Sequence, residues 1–413
     1  MKRLLIIVSC INCFLATVAG QETTVKEQQV TGQQPVTELS ASAQSQTKSG
    51  TLLFFYRLGR TIETALMKGI DSTYLELYDR SWRFALTATG NGVYNTINMS
   101  DMPSNSNVNI DLRSSPSIGL GFSAAWHSIQ FNYSWDVMFR RSRKFDFAIL
   151  NRAWGIEFTH HVNTNIYGRL DVQNDMTYDI NYGDLEIATT FLSMYFIFNS
   201  DEYSTSSALR QSYRQKKSAG SFYLQAQYLG TNITSTGDPL TYTMNSLKST
   251  EIHQAAVSAG YGYNYTPNNG KFLLHISAAP MAIVFNRTIL TFYYPLTIDN
   301  EKFDITLQQV IDPKHWLYIT GTARVAFSWD INEWCYFAGN AQFYNMRFNS
   351  KKTETLALKI NTWEWNANIT FGARFGISRK KMKTILEQYD EDRKNNPRKD
   401  DILDWVDKKI SKH

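Results

Sequence analysis

Cysteine is scarce in this chain, with three among 413 residues. Two of them, Cys10 and Cys13, fall in an N-terminal stretch that has the marks of a secretory leader. Lys2 and Arg3 start it, residues 4–18 form an apolar core, and Val18-Ala19-Gly20 offers a small-residue cleavage site before Gln21. A lipoprotein leader ending at Cys10 is the alternative, and it would leave a very short apolar core. Loss of residues 1–20 leaves Cys335 alone, which excludes an intramolecular disulfide even in an oxidising compartment. No catalytic signature surrounds Cys335, so it reads as a packed or lipid-facing thiol.

Long apolar runs are also missing. Beyond the leader, nothing approaches the roughly 20 apolar residues of a membrane helix. The longest candidate, residues 278–285, contains Pro280. If this chain spans a membrane, only a closed barrel can do it, because backbone groups in lipid must be satisfied internally. Charge of one sign is not concentrated either: the net charge is +5, too modest and too dispersed for a nucleic-acid partner.

Catalytic motifs are absent: there is no Gly-x-Ser-x-Gly elbow, no His-Glu-x-x-His and no phosphate-cradling loop. His160-His161 after Glu157 suggests a metal pair, but adjacent strand residues point to opposite faces and cannot share an ion easily. His127 lies in an expected hairpin turn, and His275 and His315 have no ligand-like neighbours. The residues therefore point to no enzyme activity, no cofactor and no metal site. A barrel hydrolase with Ser, His and an acid on separate strands is beyond the reach of spacing arguments.

What the chain has in abundance is aromatic residues, at 14%, most of them Tyr and Phe. Their placement is informative around Trp126. Ile118, Leu120, Phe122, Ala124 and Trp126 alternate on even positions; Ile129, Phe131, Tyr133 and Trp135 resume on odd ones. A two-residue turn at His127-Ser128 pairs Trp126 with Ile129, Ala124 with Phe131 and Phe122 with Tyr133, and such pairs share a face. The opposite face is small or polar: Gly119, Gly121, Ser123, Ala125, Gln130, Asn132, Ser134. That pattern suits lipid outside and a wet lumen inside, with Trp126 and Ile129 in the inner aromatic girdle.

The same reading organises the whole chain. Residues 21–50, rich in Gln, Thr and Ser, form a flexible linker. Residues 51–69 form an amphipathic helix on Leu53, Tyr56, Ile62 and Leu66, packed on the barrel base or lying on the membrane. Residues 71–377 form the barrel. Its expected strands are 82–99, 117–126, 129–137, 145–160, 165–172, 186–199, 221–229, 251–265, 271–286, 315–329, 334–347 and 361–377. Short inner turns alternate with long outer loops, and the count is about 12, within 10–14. Residues 378–413 form a charged periplasmic tail with a helix, a break at Asn396-Pro397 and a second helix through Ile402, Trp405 and Ile410. The tail reads first as a solvated appendage; the alternative is a docking element for a periplasmic partner, through the apolar stripe of that second helix.

One segment breaks the rhythm. Residues 200–220 lie where a short inner turn belongs, and they carry a candidate cationic cluster at Arg210, Arg214, Gln215, Lys216, Lys217 and Ser218. An extra hairpin, or a bent inner segment, is slightly favoured over a plug. Functionally the cluster is either a cationic constriction selecting anions or part of a lumen network neutralised by Asp and Glu.

Several stretches resemble a known family. They are Asp71-Ser72-Thr73-Tyr74, Lys144-Phe145-Asp146-Phe147 with Trp154-Gly155-Ile156, Tyr195-Phe196-Ile197-Phe198-Asn199, and Gln211-Ser212 with the run from Gln215 to Phe222. Ala259-Gly260-Tyr261-Gly262-Tyr263 and the run from Phe371 to Gly376 complete the set. Together, from about Asp71 to Gly376, they are similar to a Bacteroidota family catalogued as domain of unknown function four-four-two-one. The resemblance implies an outer-membrane β-barrel of a Gram-negative species and lends no activity or catalytic residues.

The expectation is an all-β, antiparallel, up-and-down transmembrane barrel in the cell outer membrane, flanked by short periplasmic helices. Its expected role is that of a non-enzymatic passive pore or envelope scaffold. Its partners are outer-membrane lipid and lipopolysaccharide, and the barrel-assembly machinery that inserts it. The rivals are a barrel enzyme acting on lipid or lipopolysaccharide and a soluble secreted β-sandwich. Outward Phe, Tyr and Trp faces oppose the sandwich.

Overall fold

A computed structural model describes residues 58–391 apart from 60, 102–105, 116, 138–141, 173–175, 237–246, 268–269, 299–300, 316, 351–355 and scattered positions from 377 onward. The expected leader and linker, residues 51–57 of the expected helix, and the second tail helix fall outside the described residues.

The described chain opens with a helix, α1, at 61–67 and a short strand, β1 (Leu75–Leu77). Next come β2 (Trp82–Asp101), β3 (Ser106–Ser114), β4 (Ser117–Trp126), β5 (Ile129–Asp136), β6 (Arg143–Leu150) and β7 (Trp154–Asn163). β8 (Ile166–Val172), β9 (Met176–Ile180) and β10 (Leu185–Ile197) lead to a second helix, α2 (Thr205–Leu209), and β11 (Tyr213–Gln215). The rest is strand: β12 (Ala219–Ser235), β13 (Leu247–Tyr265), β14 (Phe272–Ile298), β15 (Glu301–Ile311), β16 (Tyr318–Asp330), β17 (Cys335–Asn349) and β18 (Leu356–Phe375). The tail residues described at 381–391 are helical.

Twelve strands close a ring in the order β2-β4-β5-β6-β7-β10-β12-β13-β14-β16-β17-β18. It is sealed by the β18–β2 ladder from Phe375↔Trp82 to Leu356↔Asp101. Closure leaves no pair of packed sheets, which removes the sandwich alternative. The hairpin around His127 has the expected register, with Trp126↔Ile129, Ala124↔Phe131 and Phe122↔Tyr133. His127 supports the tight turn by adopting a left-handed backbone, φ 50°.

The expected strand borders need two corrections. Residues 145–160 are not one strand: β6 and β7 meet at a turn over Asn151-Arg152-Ala153, where Asn151 Oδ1 accepts the Arg152 N–H at 2.7 Å. With neither Gly nor Pro there, the turn carries no breaker. The second correction concerns residues 165–172, which are not a wall strand of the ring. As β8 they pair with β3 and β9 in an extension outside the ring order. One strand gained and one lost left the total unchanged. The expected loops at 100–116, 173–185 and 287–314 likewise contain β3, β9 and β15.

The tight connections, at 127–128, 151–153 and 331–334, share one end of the ring, the base, with the start of β2 and the end of β18. Above the base each strand carries apolar residues outward. On β2, Phe84 and Leu86 are exposed while Arg83, Ala85 and Thr87 are buried. Aromatics mark both borders of this band. Trp82 and Trp126 stack at 5.9 Å near the base. At the other border Trp363 opposes Tyr94, and Tyr94 opposes Arg113. From Phe84 to Tyr94 is ten residues; at about 3.3 Å each and a tilt of about 40° they span roughly 25 Å, the height of an outer-membrane apolar band.

Beyond Tyr94 the polarity inverts. Glu186, Glu251, Arg347 and Lys359 lie on the outward face, while Leu185, Ile187, Ile252, Phe348, Leu358 and Ile360 are buried inside. β3, β8 and β15 add Ile110, Leu112, Ile166, Leu170 and Ile311, and all these buried side chains form one continuous aliphatic cluster. The end of the barrel remote from the base is therefore filled like the core of a soluble protein.

Candidate functional site

The connection between β10 and β12, residues 198–218, does not turn tightly at the base. It folds inward as a plug. Helix α2 packs against the inner faces of β13, β14, β16 and β17. Its Ala208 and Leu209 are buried with Leu273 and Ala326 of the wall. Tyr203 is fully buried beside Ala148, Tyr195 and Ile197. Gly262 makes room for it: a Cβ at that position would overlap the Tyr203 hydroxyl. The extra-hairpin expectation is thus corrected to a plug, because the ring closes at twelve strands without this segment.

Charged groups of the plug meet acids of the wall. Arg210 Nη2 lies 3.6 Å from Glu157 Oε1, while Arg324 of β16 donates to Glu157 Oε2 at 3.0 Å. Arg324 also donates to Gln342 at 2.7 Å. Lower down, Arg214 pairs with Asp330 at 3.3 Å. Arg374 of β18 pairs with the other oxygen of Asp330 at 2.6 Å, and Tyr78 donates to Asp330 at 3.0 Å. Arg374 is sandwiched over the Tyr78 and Tyr336 rings, 3.7 and 4.7 Å from their centroids. Burial raises the Tyr78 phenol above its usual range, against the opposing field of Arg374, so it stays a donor.

The other members of the sequence-predicted cluster are satisfied too. Gln215 is buried; its amide N–H donates to the Glu202 and Lys217 carbonyls at 2.5 and 3.0 Å, and its oxygen accepts from Asn264 at 3.1 Å. Lys216 pairs with Glu76 at 3.3 Å. Lys217 lies over the Tyr74 ring at 5.2 Å, and Ser218 accepts the Thr266 N–H at 3.0 Å. The cluster is therefore not a free cationic constriction. Arg210, Arg214 and Lys216 each face a carboxylate, the arrangement that the neutralised-network reading expects.

Between the plug and the aliphatic cluster lies a small polar chamber of about 40 Å³. Lys144, Asp146, Glu157, His161, Arg324 and Glu364 line it, with Arg210 entering from the plug. Lys144 pairs with Asp146 at 3.5 Å and donates to Asn366 at 2.9 Å. The neighbouring histidines part as strand geometry requires. His160 meets Thr190 at 3.0 Å, and His161 turns inward to Asn91 and Glu364. Among the described residues no group of three His, Cys, Asp or Glu is placed to hold a metal ion.

The family profile for Domain of unknown function (DUF4421) matches residues 69–375 of this sequence. The chain belongs to that family. The matched span holds β1, all twelve wall strands and the plug, so the DUF4421 domain is the plugged barrel as a unit. No curated protein matches the sequence.

Among solved structures, the DUF4421 chain is similar to the outer membrane protease OmpT from Escherichia coli, at 6% identity and a TM-score of 0.34, over 73% of this chain and 98% of that one. It is similar to the translocator domain of the autotransporter NalP from Neisseria meningitidis, at 8% identity and a TM-score of 0.32, over 81% and 100%. The outer membrane protein OprG from Pseudomonas aeruginosa gives 10% identity and a TM-score of 0.27, over 73% and 99%.

The acids that receive the cluster were not linked to it in the sequence. Glu157 and Asp330 sit in different strands, β7 and β16, and only the closed ring brings Glu157 to Arg324, 167 positions away. The available signal was parity. On β7, Ile156 and Phe158 face out, so Glu157 between them had to face the lumen.

Proposed function

We propose that this DUF4421 protein is a sealed, non-enzymatic barrel of the outer membrane, a scaffold of the envelope rather than a passive pore. The observation that carries the reading is the plug: residues 198–218 fill the base of the lumen, with Arg210 set on Glu157. The aliphatic cluster at the far end supports it, because a water-filled pore does not bury Leu170, Ile187 and Leu358 at 0–1% exposure along its axis. The belt of outward Phe, Tyr, Trp and Leu supports insertion in lipid. Short connections at the base support a periplasmic position for that end, with the plug facing inward to the cell. Outer-membrane lipid and lipopolysaccharide are then its lateral partners, and the barrel-assembly machinery inserts it.

The test is solute flux. Folded protein, verified by heat-modifiable migration on gels, is placed in liposomes and challenged with small sugars and amino acids. The expected swelling rate equals that of protein-free liposomes. Swelling at the rate of an open porin would sink the proposal.

A further inference from the structure

Both wall carboxylates that hold the plug also have a partner outside it. Glu157 keeps Arg324 when Arg210 is removed from consideration, and Asp330 keeps Arg374 and Tyr78 without Arg214. Asn264 donates to Ser204 O and Gln215 of the plug at 3.0 and 3.1 Å, and its own oxygen meets His275 at 2.8 Å. His275 lies 3.4 Å from the Tyr203 hydroxyl and 3.1 Å from Ser277 of the wall. Arg83 donates to Ser212 at 3.3 Å and to the His127 carbonyl at 2.6 Å. Removing the plug would leave Glu157, Asp330, His275 and Arg83 each with a remaining partner outside it, and of these buried groups only the Asn264 amide N–H loses its acceptors, so most of the usual penalty for taking a polar element out of an interior is avoided.

The plug's own hold is loose at its centre. Arg210 reaches Glu157 at 3.6 Å, and its buried Nε has no hydrogen-bond partner among the described residues. Its firm attachments run elsewhere, to the segment that precedes the barrel. β1 pairs with β11 through Leu75↔Gln215, Glu76↔Arg214 and Leu77↔Tyr213. The Lys216 N–H donates to the Tyr74 carbonyl at 2.7 Å and the Asp71 N–H to the Asp201 carbonyl at 3.1 Å. Tyr213 is buried in one apolar cluster with Leu66 of α1 and with Leu75 and Leu77 of β1. Neither β1 nor β11 joins the barrel sheet.

From these two observations we infer that residues 198–218 are a releasable stopper and that α1–β1 is its latch. The inference rests on the plugged reading above. Displacing β1 from β11 frees the stopper and opens the polar chamber to the periplasm. The aliphatic cluster stays in place, so the release exposes the chamber without making a through-channel.

The test is thiol accessibility in the full-length protein with Cys335→Ser and a reporter, Thr189→Cys. Thr189 lines the chamber and is 3% exposed. A small maleimide is the probe, and heat-modifiable migration verifies folding. The reporter is expected to label slowly with the latch intact. Deleting 58–77, or the gentler pair Leu75→Asp with Leu77→Asp, is expected to raise the rate by about tenfold or more. Deleting 21–50 is expected to leave it unchanged, and planar bilayers are expected to stay silent throughout. Folded latch variants that label as slowly as the parent would overturn the latch, as would acceleration by the 21–50 deletion. Rapid labelling with the latch intact would instead overturn the plugged reading itself.

Discussion

Arg210 and Arg324 share one carboxylate, Glu157, from opposite sides of the boundary between plug and wall: Arg210 on Oε1 at 3.6 Å, Arg324 on Oε2 at 3.0 Å. The same division recurs at the base, where Arg214 and Arg374 share Asp330 at 3.3 and 2.6 Å. This arrangement makes the wall self-sufficient and the plug an addition to it.

The division sets an order of mutational cost. Arg210→Ala leaves Glu157 with Arg324 and is expected to cost about 1 kcal/mol or less. Arg324→Ala leaves only the loose Arg210 contact and unpairs Gln342 as well, at an expected cost of about 3 kcal/mol. Arg214→Ala and Arg374→Ala should rank the same way around Asp330. Urea titration of the heat-modifiable band measures all four; equal costs within each pair would contradict the division.

Gly262 and Tyr203 offer a steric test. Gly262→Ala is expected to expel Tyr203 from its groove, since the new Cβ would overlap the hydroxyl. The plug should then become cleavable by protease between 200 and 218 while the barrel remains folded. Tyr203→Ala on top of Gly262→Ala removes the clash, so the barrel's urea midpoint should recover relative to Gly262→Ala alone. A midpoint that falls further would show that the two side chains do not meet.

The outward belt has its own signature. Leu86 is 72% exposed on the apolar face of β2. Leu86→Arg is expected to cost about 1–2 kcal/mol in lipid, between the interfacial and midplane penalties of a charge. In detergent-free folding assays this appears as a lowered urea midpoint. A neutral effect would place Leu86 outside the membrane.

Much of this fold was readable from parity alone. Trp126 and Ile129 flip the phase of the apolar face, and that flip marks the hairpin. The same flip separates Phe147 from Ile156, yet the turn at Asn151-Arg152-Ala153 has no Gly or Pro, so it was read through as one strand. The outer strands β3, β9 and β15 fall in expected loops, and β8 in an expected wall strand, because their polarity is inverted: Ile110, Leu112 and Leu170 face inward and Asn109, Asp111 and Arg169 face water. Local alternation cannot say which face is wet. The cationic cluster was legible as an anomaly, but its partners Glu157 and Asp330 lie at least 50 residues from it in either direction. Only ring closure brings those ion pairs together.

The account turns on a lumen closed twice, by the plug at the base and by the aliphatic cluster at the far end. Single-channel recording in planar bilayers tests it with three proteins. They are the wild type, a variant with 198–218 replaced by a short turn, and that variant with Ile110, Leu170 and Ile187 changed to Ser. The first two are expected to be silent and the third to conduct in steady steps. Steady ohmic conductance from the wild type would contradict the account.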